Sequence, residues 1–349
     1  MKSILIISMN CRASHVSHLK ASYRQAQDLG LEPILYLNPE FLNYGFDGFT
    51  VVTSENRVPV TDYAILWFPA LGNLRVMSRL RMKGTKLIYV LHEPWEGYRT
   101  YLKSGNSHLW TIRFLMKYQV SLLFLMLAHK IIMPSERAFQ LYEKSFTRWI
   151  NRNLEYLPLI YEDEKLPSPA KRQFFSFIGS ISGDHAFGNY IQTIEALSKD
   201  SRFDDLKFLI ATRYNVEKNE KISHLVASGR LKIQEGRPLT DDEINTAYAS
   251  SFLVWNAYHR TTQSGVLAKS FMFGTPGLVC RRNLSEFVQE NKQVVVVDSN
   301  DDYESIKDAV EYALKDFETL SYNARQTFER CYYYKASNDK MKEILESLS

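Results

Sequence analysis

The stretch TTQSGVLAKSFMFGTP, Thr261 to Pro276, decides the fold. It lies between two apolar runs, Ser251 to Asn256 and Gly277 to Cys280, which read as buried strands. Between them the punctuation is that of a short helix. Ser264 is a good N-cap, Gly265 sits in the first turn, and Gly274 stands where a left-handed C-terminal cap belongs. Pro276 then stops the helix. A strand, a loop of small residues and a helix N-terminus make an anion site, because the first backbone N–H groups have no internal partner and the helix dipole favours negative charge. A diphosphate fits against the N–H groups of Ser264, Gly265 and Val266. An ordinary strand-to-helix turn is the other reading of the same residues.

Outward from this stretch, the chain reads as two halves. Its 349 residues are long for one core and natural for two domains. With 45% hydrophobic and 23% charged residues the composition is globular. A net charge of +4 is mild. It suits anionic substrates or an anionic membrane surface and does not demand nucleic acid, for which no reading motif is present. Cys11, Cys280 and Cys331 are odd in number and far apart, which reads as reduced thiols in a cytoplasmic protein. The opening MKSILIIS is too short an apolar run for a signal peptide and reads as a first strand.

In the first half, strands are expected at 3–9, 32–37, 49–52, 62–68, 85–91 and, last, 130–133. Helices are expected at about 17–29 and 135–142. Strands alternating with helices imply a doubly wound parallel sheet, whose ligands collect at the carboxyl ends of strands. That singles out the loops 10–16, 69–74 and 92–99. The loop His92-Glu-Pro-Trp-Glu-Gly-Tyr-Arg99 is the richest. His92 can hydrogen-bond a sugar hydroxyl or move a proton, and Glu93 can accept from hydroxyls or act as a base. His15, Trp95 and Arg99 are further candidates on this, the acceptor side. Residues 109–128 mix aromatic and basic side chains with an apolar run. The charge-free part, 118–128, is too short to span a bilayer. It reads as a buried helix or as an interfacial helix in peripheral contact with a membrane.

The segment 151–172 carries three prolines and mixed charge and reads as an interdomain linker, with Glu162, Asp163 and Glu164 on a solvated face rather than around a metal. A second alternating set follows. It has strands at 173–178, 206–211, 231–234, 251–256, 277–280 and 293–297, and helices at about 189–197, 240–249, 303–315, 317–332 and 337–348. Thr240 and Glu243 form a capping box. The carboxyl-end loops here carry Gly179, Ser182, Arg213, Arg237, Pro238 and Gln263 to Gly265. A guanidinium grips phosphate bidentately, which makes Arg213 a good diphosphate ligand.

These motifs, in this order, resemble the donor-binding domain of GT-B-fold glycosyltransferases, most like glycosyltransferase family 4. Phe175-Ser-Phe-Ile-Gly179 looks like that domain's opening strand and glycine loop. Gly236-Arg-Pro-Leu-Thr-Asp-Asp-Glu243 looks like its element before the next helix. Gln263-Ser-Gly-Val-Leu-Ala, with Phe273-Gly-Thr-Pro276, looks like its phosphate loop, helix and turn. The resemblance covers most of 173–349 and is weaker in the first half. It implies two doubly wound Rossmann-like α/β domains facing a central cleft, bounded at 1–155 and 156–332, with 333–349 a final helix crossing back to the first domain. The chain departs from the family where the family carries two glutamates in the phosphate loop and helix. Thr261 and Lys269 stand there instead. A lysine is donor-only and cannot copy a carboxylate, so Lys269 turns to a phosphate or ribose recognition differs, and Gln263 takes over contacts to the sugar.

The implied activity is transfer of a hexose from a nucleotide-diphosphate sugar to a saccharide or lipid-linked saccharide. The setting is bacterial surface polysaccharide synthesis, cytoplasmic, with the inner face of the membrane as an option. The resemblance implies retention at the anomeric carbon, no cofactor beyond the donor substrate and no metal, since a helix N-terminus and basic side chains neutralise the leaving diphosphate. A non-catalytic partner subunit of the same fold and a nucleotide-sugar epimerase are the rival readings.

Overall fold

Fully apolar runs of four to six residues, flanked by turns and joined by amphipathic segments, become strands covered on both faces. In the computed structural model, which describes residues 1–150, 153–164, 171–261 and 263–348, these runs form two all-parallel sheets. The chain divides into two units. One comprises 1–100, 107–162 and 331–349, and the other 101–106 and 163–330.

The first unit holds β1 (Ser3–Ser8), α1 (Ala13–Asp28), β2 (Glu32–Leu37), β3 (Val51–Val52), β4 (Tyr63–Phe68), α2 (Leu74–Met82) and β5 (Lys86–Val90). After α3 (Tyr98–Lys103), which runs from this unit into the other, come α4 (His108–Leu127), β6 (Lys130–Met133), α5 (Glu136–Lys144) and β7 (Leu154–Tyr156). The sheet order is β3-β2-β1-β4-β5-β6-β7, so the connection reverses between β1 and β4. Leu5, Ile7, Leu66 and Ile131 are wholly buried in the core beneath α2 and α4. The chain returns here at its end. Tyr161 and Tyr333 form a parallel bridge, Gln25 on α1 donates to the Tyr334 carbonyl at 3.0 Å, and Lys340 on α12 (Asn338–Glu346) meets Glu155 at 3.0 Å.

The second unit holds β8 (Phe174–Ile178), α6 (Phe187–Ser198), β9 (Lys207–Ala211), α7 (Glu220–Ala227), β10 (Leu231–Gln234), α8 (Asp241–Ala249), β11 (Ser251–Asn256), α9 (Gly265–Met272), β12 (Gly277–Cys280), β13 (Val294–Val297), α10 (Tyr303–Lys315) and α11 (Phe317–Thr327). Its order, β10-β9-β8-β11-β12-β13, reverses between β8 and β11. In an open parallel sheet, ligands gather at the carboxyl end of such a switch point.

Several expectations are corrected. Helix α1 begins at Ala13, not near Ser17, so His15 lies in its first turn rather than in a loop. Arg12, its N-cap, makes no side-chain cap, which removes the local signal for the start. Lys130–Met133 is not the last strand of its sheet, because Leu154–Tyr156 adds an edge strand. The chain passes from one unit to the other between 162 and 163, within the expected linker, but the residues just before that point are packed. Leu157, Leu159, Ile160 and Tyr161 are buried. Nor is 162–164 a solvated face: Glu162 pairs with Arg24 at 3.5 Å, Asp163 with Arg325 at 2.6 Å and Glu164 with Lys269 at 3.4 Å. The expected helix at 317–332 ends at Thr327, and a π turn covers Phe328–Tyr332. Helices α2, α3 and α7 have no counterpart in the sequence reading, and α3 takes Arg99 out of the expected 92–99 loop. Parts of the expected linker (151–152 and 165–170) and Thr262 in the central stretch lie outside the described residues.

Candidate functional site

The central stretch folds as its punctuation dictates. Ser264 is the N-cap of α9, its hydroxyl accepting from Leu267 N at 3.1 Å, and Gly274 takes φ +63°. The same hydroxyl donates to Asn256 Oδ1 at 2.5 Å. Asn256 closes β11 and is 1% exposed. Its carboxamide oxygen is committed to Ser264, while its Nδ2 is buried with no hydrogen-bond partner among the described residues. Gln263 Oε1 is likewise buried and unpartnered among them. An unsatisfied buried polar atom costs about 1–3 kcal/mol, so two of them at one helix N-terminus mark a place where a polar ligand repays the cost.

The glycine loop after β8 lies against this helix. Gly179 has φ +130°, and a Cβ there would sit 3.6 Å from Val266 Cγ2. The chain then turns through Ser182 to Gly183, whose Cα faces Gly105 so closely that a Cβ would lie 2.6 Å from the Gly105 carbonyl oxygen. This contact belongs to a small network. Asn106 donates to Asp184 Oδ1 at 2.9 Å, and Arg260 lies 3.6 Å from Asp184 Oδ2 and 4.5 Å over the Tyr101 ring. Residues 101–106 therefore brace the loop that borders the α9 N-terminus.

The candidate cations differ in their commitments. Arg237 is held bidentately by Glu243, whose carboxyl the guanidinium and the Thr240 N–H keep down at about 2. Pro238 beside it is exposed. Lys269 is paired with Glu164, which also accepts from Asn245 at 2.6 Å. Arg213, at the end of β9, stacks on Tyr214 at 4.9 Å, donates to its hydroxyl at 2.8 Å, and has no carboxylate partner among the described residues. It is the arginine of the sequence-derived set best placed to take an anion.

In the first unit the carboxyl ends of β1, β4 and β5 bring aromatic and imidazole rings together. His15 stacks on Phe68 at 3.3 Å between centroids, and Phe68 stacks on His92 at 4.6 Å. His18 lies 5.4 Å from Trp67 and 4.5 Å from Tyr161. The Asn10 carbonyl accepts from His15 Nδ1 and the Ile160 carbonyl from His18 Nδ1, each at 2.9 Å. Burial, with His18 and then His15 close by, holds His92 well below the ordinary imidazole range, so its ring is neutral at pH 7. Glu93 and Arg99 are exposed. Trp95 is turned to the interior, stacked on Phe114 of α4 at 5.9 Å. His15 and His92 are thus brought together, and Trp95 and Arg99 do not join them.

Sequence reading missed Asn256, Asp184 and Arg260 in the second unit, and His18, Trp67, Phe68 and Tyr161 in the first. A helical spacing of three from His15 was the one local sign of His18. Asn256 meets Ser264 eight residues on, and the others meet partners two dozen or more residues away.

Comparison with known proteins gives the class of fold. No family model matches the sequence. No curated protein sequence matches it either. Solved structures do. Sucrose-phosphate synthase from Thermosynechococcus elongatus has a TM-score of 0.68 at 14% identity, covering 100% of this chain and 99% of its own. A glycosyltransferase from Rickettsia africae has 0.69 at 13%, covering 99% and 98%. The HepE protein of Anabaena, in complex with UDP, has 0.70 at 12%, covering 99% and 100%. The chain therefore has the GT-B fold, two Rossmann-like domains each built on a parallel sheet.

Proposed function

We propose that this protein is a glycosyltransferase that moves a hexose from a nucleotide-diphosphate sugar to a saccharide or lipid-linked saccharide. One observation carries the reading. At the switch point of the second sheet, the N-terminus of α9 is flanked by a glycine loop and by the buried Asn256 Nδ2, which lacks a partner among the described residues. The donor's diphosphate lies along that helix end. The first-turn N–H groups and the dipole attract it, Asn256 Nδ2 donates to a phosphate oxygen, and Arg213 neutralises the outer charge. Gly179 leaves room for the diphosphate beside Val266. The Ser264 hydroxyl, already donating to Asn256, acts as the cap that positions the helix. Lys269 and Arg237, both in ion pairs, shape the site's border.

Because these groups supply the positive charge, a metal is unnecessary for departure of the diphosphate. UDP is the first donor base to test, since HepE is a structural neighbour solved with UDP-glucose, at 13% identity and a TM-score of 0.69. On the first unit, neutral His92 and exposed Glu93 are the groups assigned to the acceptor hydroxyl. The closest family reading is glycosyltransferase family 4, with retention at the anomeric carbon, in bacterial surface polysaccharide synthesis at the inner face of the membrane.

The test is turnover of UDP-sugars with saccharide and lipid-linked acceptors, in chelator and in magnesium, with the product's anomeric configuration read by NMR. Acceptor-dependent release of UDP supports the transferase. Interconversion of the donor without acceptor points to an epimerase. Neither binding nor turnover points to a non-catalytic subunit, a reading favoured by Thr261 and Lys269 standing in place of the family's glutamates.

A further inference from the structure

Helix α4 leaves a stripe of large apolar side chains in water. Leu109, Ile112, Met116, Leu123 and Met126 are all exposed, Met116 at 67% and Met126 at 64%. With Gln119 they repeat at alternating steps of three and four, which places them in one line along the helix. Trp110, 40% exposed, lies beside the line and stacks on Phe114 at 5.3 Å. The other side of α4 packs inward, since Thr111, Tyr118, Phe124 and Leu125 are buried. Contiguous exposed apolar surface of this kind marks an interaction site.

The charge around the stripe decides its occupant. Residues 63–92 and 97–135, which include α2 and α4, contain no aspartate or glutamate. They carry five lysines and arginines each: 75, 79, 81, 83 and 86 in the first, 99, 103, 113, 117 and 130 in the second. Arg81 of α2 donates to the Leu127 carbonyl at the end of α4. That bond sets Met82, 81% exposed, and the exposed Lys83 beside the end of the stripe that carries Met126. Arg113 is exposed within the stripe's first half. An isologous dimer across this face would set cations against cations. An anionic bilayer surface offers both an apolar layer and opposite charge. No helix among the described residues is long and apolar enough to cross a membrane.

We infer that α4, with the α2 end that carries Met82 and Lys83, is a membrane-docking surface that lies flat on anionic phospholipid, its apolar stripe in the headgroup–acyl boundary. The inference stands apart from the reaction proposed above, and its assay needs no sugar donor.

Flotation of the full-length protein with phosphatidylcholine vesicles, with and without one third phosphatidylglycerol, tests it. The protein floats with anionic vesicles, weakly with neutral ones, and binding falls as salt rises. Met116→Ser/Met126→Ser abolishes flotation. Lys83→Glu/Arg113→Glu weakens it by at least about 25-fold, since each cation near an anionic surface is worth roughly fivefold. All four positions are exposed or beside exposed groups, so circular dichroism and the melting temperature stay at wild-type values. Wild-type protein that ignores anionic vesicles, or variants that bind them equally well, would overturn the inference. So would a dimer in sedimentation that Met116→Ser/Met126→Ser dissolves, which would assign the stripe to a second copy of the chain.

Discussion

Arg213 and His92 illustrate two opposite uses of a titratable side chain. Arg213 is exposed, stacked on Tyr214 and without a carboxylate partner among the described residues, so its charge is available to a ligand. A hydrogen bond to a charged group is worth about 1.5–3 kcal/mol. Arg213→Ala therefore weakens binding of a nucleoside diphosphate by roughly 10- to 100-fold, while Arg213→Lys retains part of it and the corresponding nucleoside is bound equally by all three. Calorimetric titration reads these differences. His92 is instead held neutral by burial and by His18 and His15. Its folded-state pKa lies below the 6.5 of the unfolded chain, so between the two values only the unfolded chain takes up the proton. Stability is full above about pH 7 and is lost as the pH falls through 6.5 toward the folded value. Half-buried His129 and His259 are depressed in the same direction and add to the slope. The melting temperature should drop between pH 7 and pH 5, and His92→Gln should flatten part of that drop; an unchanged slope would remove His92 from the account.

Helix α9 was legible because its signals are local. Ser264, Gly265, Gly274 and Pro276 are punctuation that acts within one turn, and the structure puts the N-cap and the left-handed residue at those positions. Helix α1 was misplaced because Arg12 offers no side-chain cap and Ser17 does look like one. Strand β7 went unread because three residues at a sheet edge, Leu154 to Tyr156, carry too little periodicity to distinguish from the prolines that follow. The ion pairs of Asp163 and Glu164, and the Asn256–Ser264 bond, were illegible for another reason: an acidic run or an asparagine shows nothing of the partner the fold supplies. At this scale Ser264→Ala removes a cap and orphans Asn256 Oδ1. Loss of an N-cap costs about 1 kcal/mol, so chemical denaturation should show a loss of about 1–2 kcal/mol together with weaker diphosphate binding. Gly183→Val, which drives side-chain atoms into the Gly105 carbonyl, should free the 101–106 brace and raise protease sensitivity there. Wild-type cleavage kinetics in that variant would show that the brace is incidental.

At the scale of the whole molecule, the two sheets repeat one topology, each reversing direction after its third strand from the edge. That duplication was readable from the alternation of strands and helices, and the repeated order fixes where each unit's ligand-facing loops must lie. The chain's last residues were harder. Cys331 to Ser349 belong with the first unit, held by Gln25, Tyr161 and Glu155, all more than 150 residues earlier in sequence. Since no family model and no curated sequence matches, the fold, not any family pattern, is the ground for the functional reading. A fold hosts many reactions, and the site must carry the rest.

The measurement that tests the central claim most directly is thermal unfolding of the pure protein with UDP, GDP, ADP, dTDP and CMP, in chelator and in magnesium, for wild type, Arg213→Ala and Asn256→Ala. A ligand at 100 times its dissociation constant adds about 2.7 kcal/mol, which raises the melting temperature by several degrees. The account predicts that at least one nucleoside diphosphate, UDP first, gives that rise with or without metal, and that both substitutions remove most of it. If no nucleotide stabilises the wild type, or if one does and both variants respond equally, the α9 N-terminus is not a donor site and the proposed reaction falls with it.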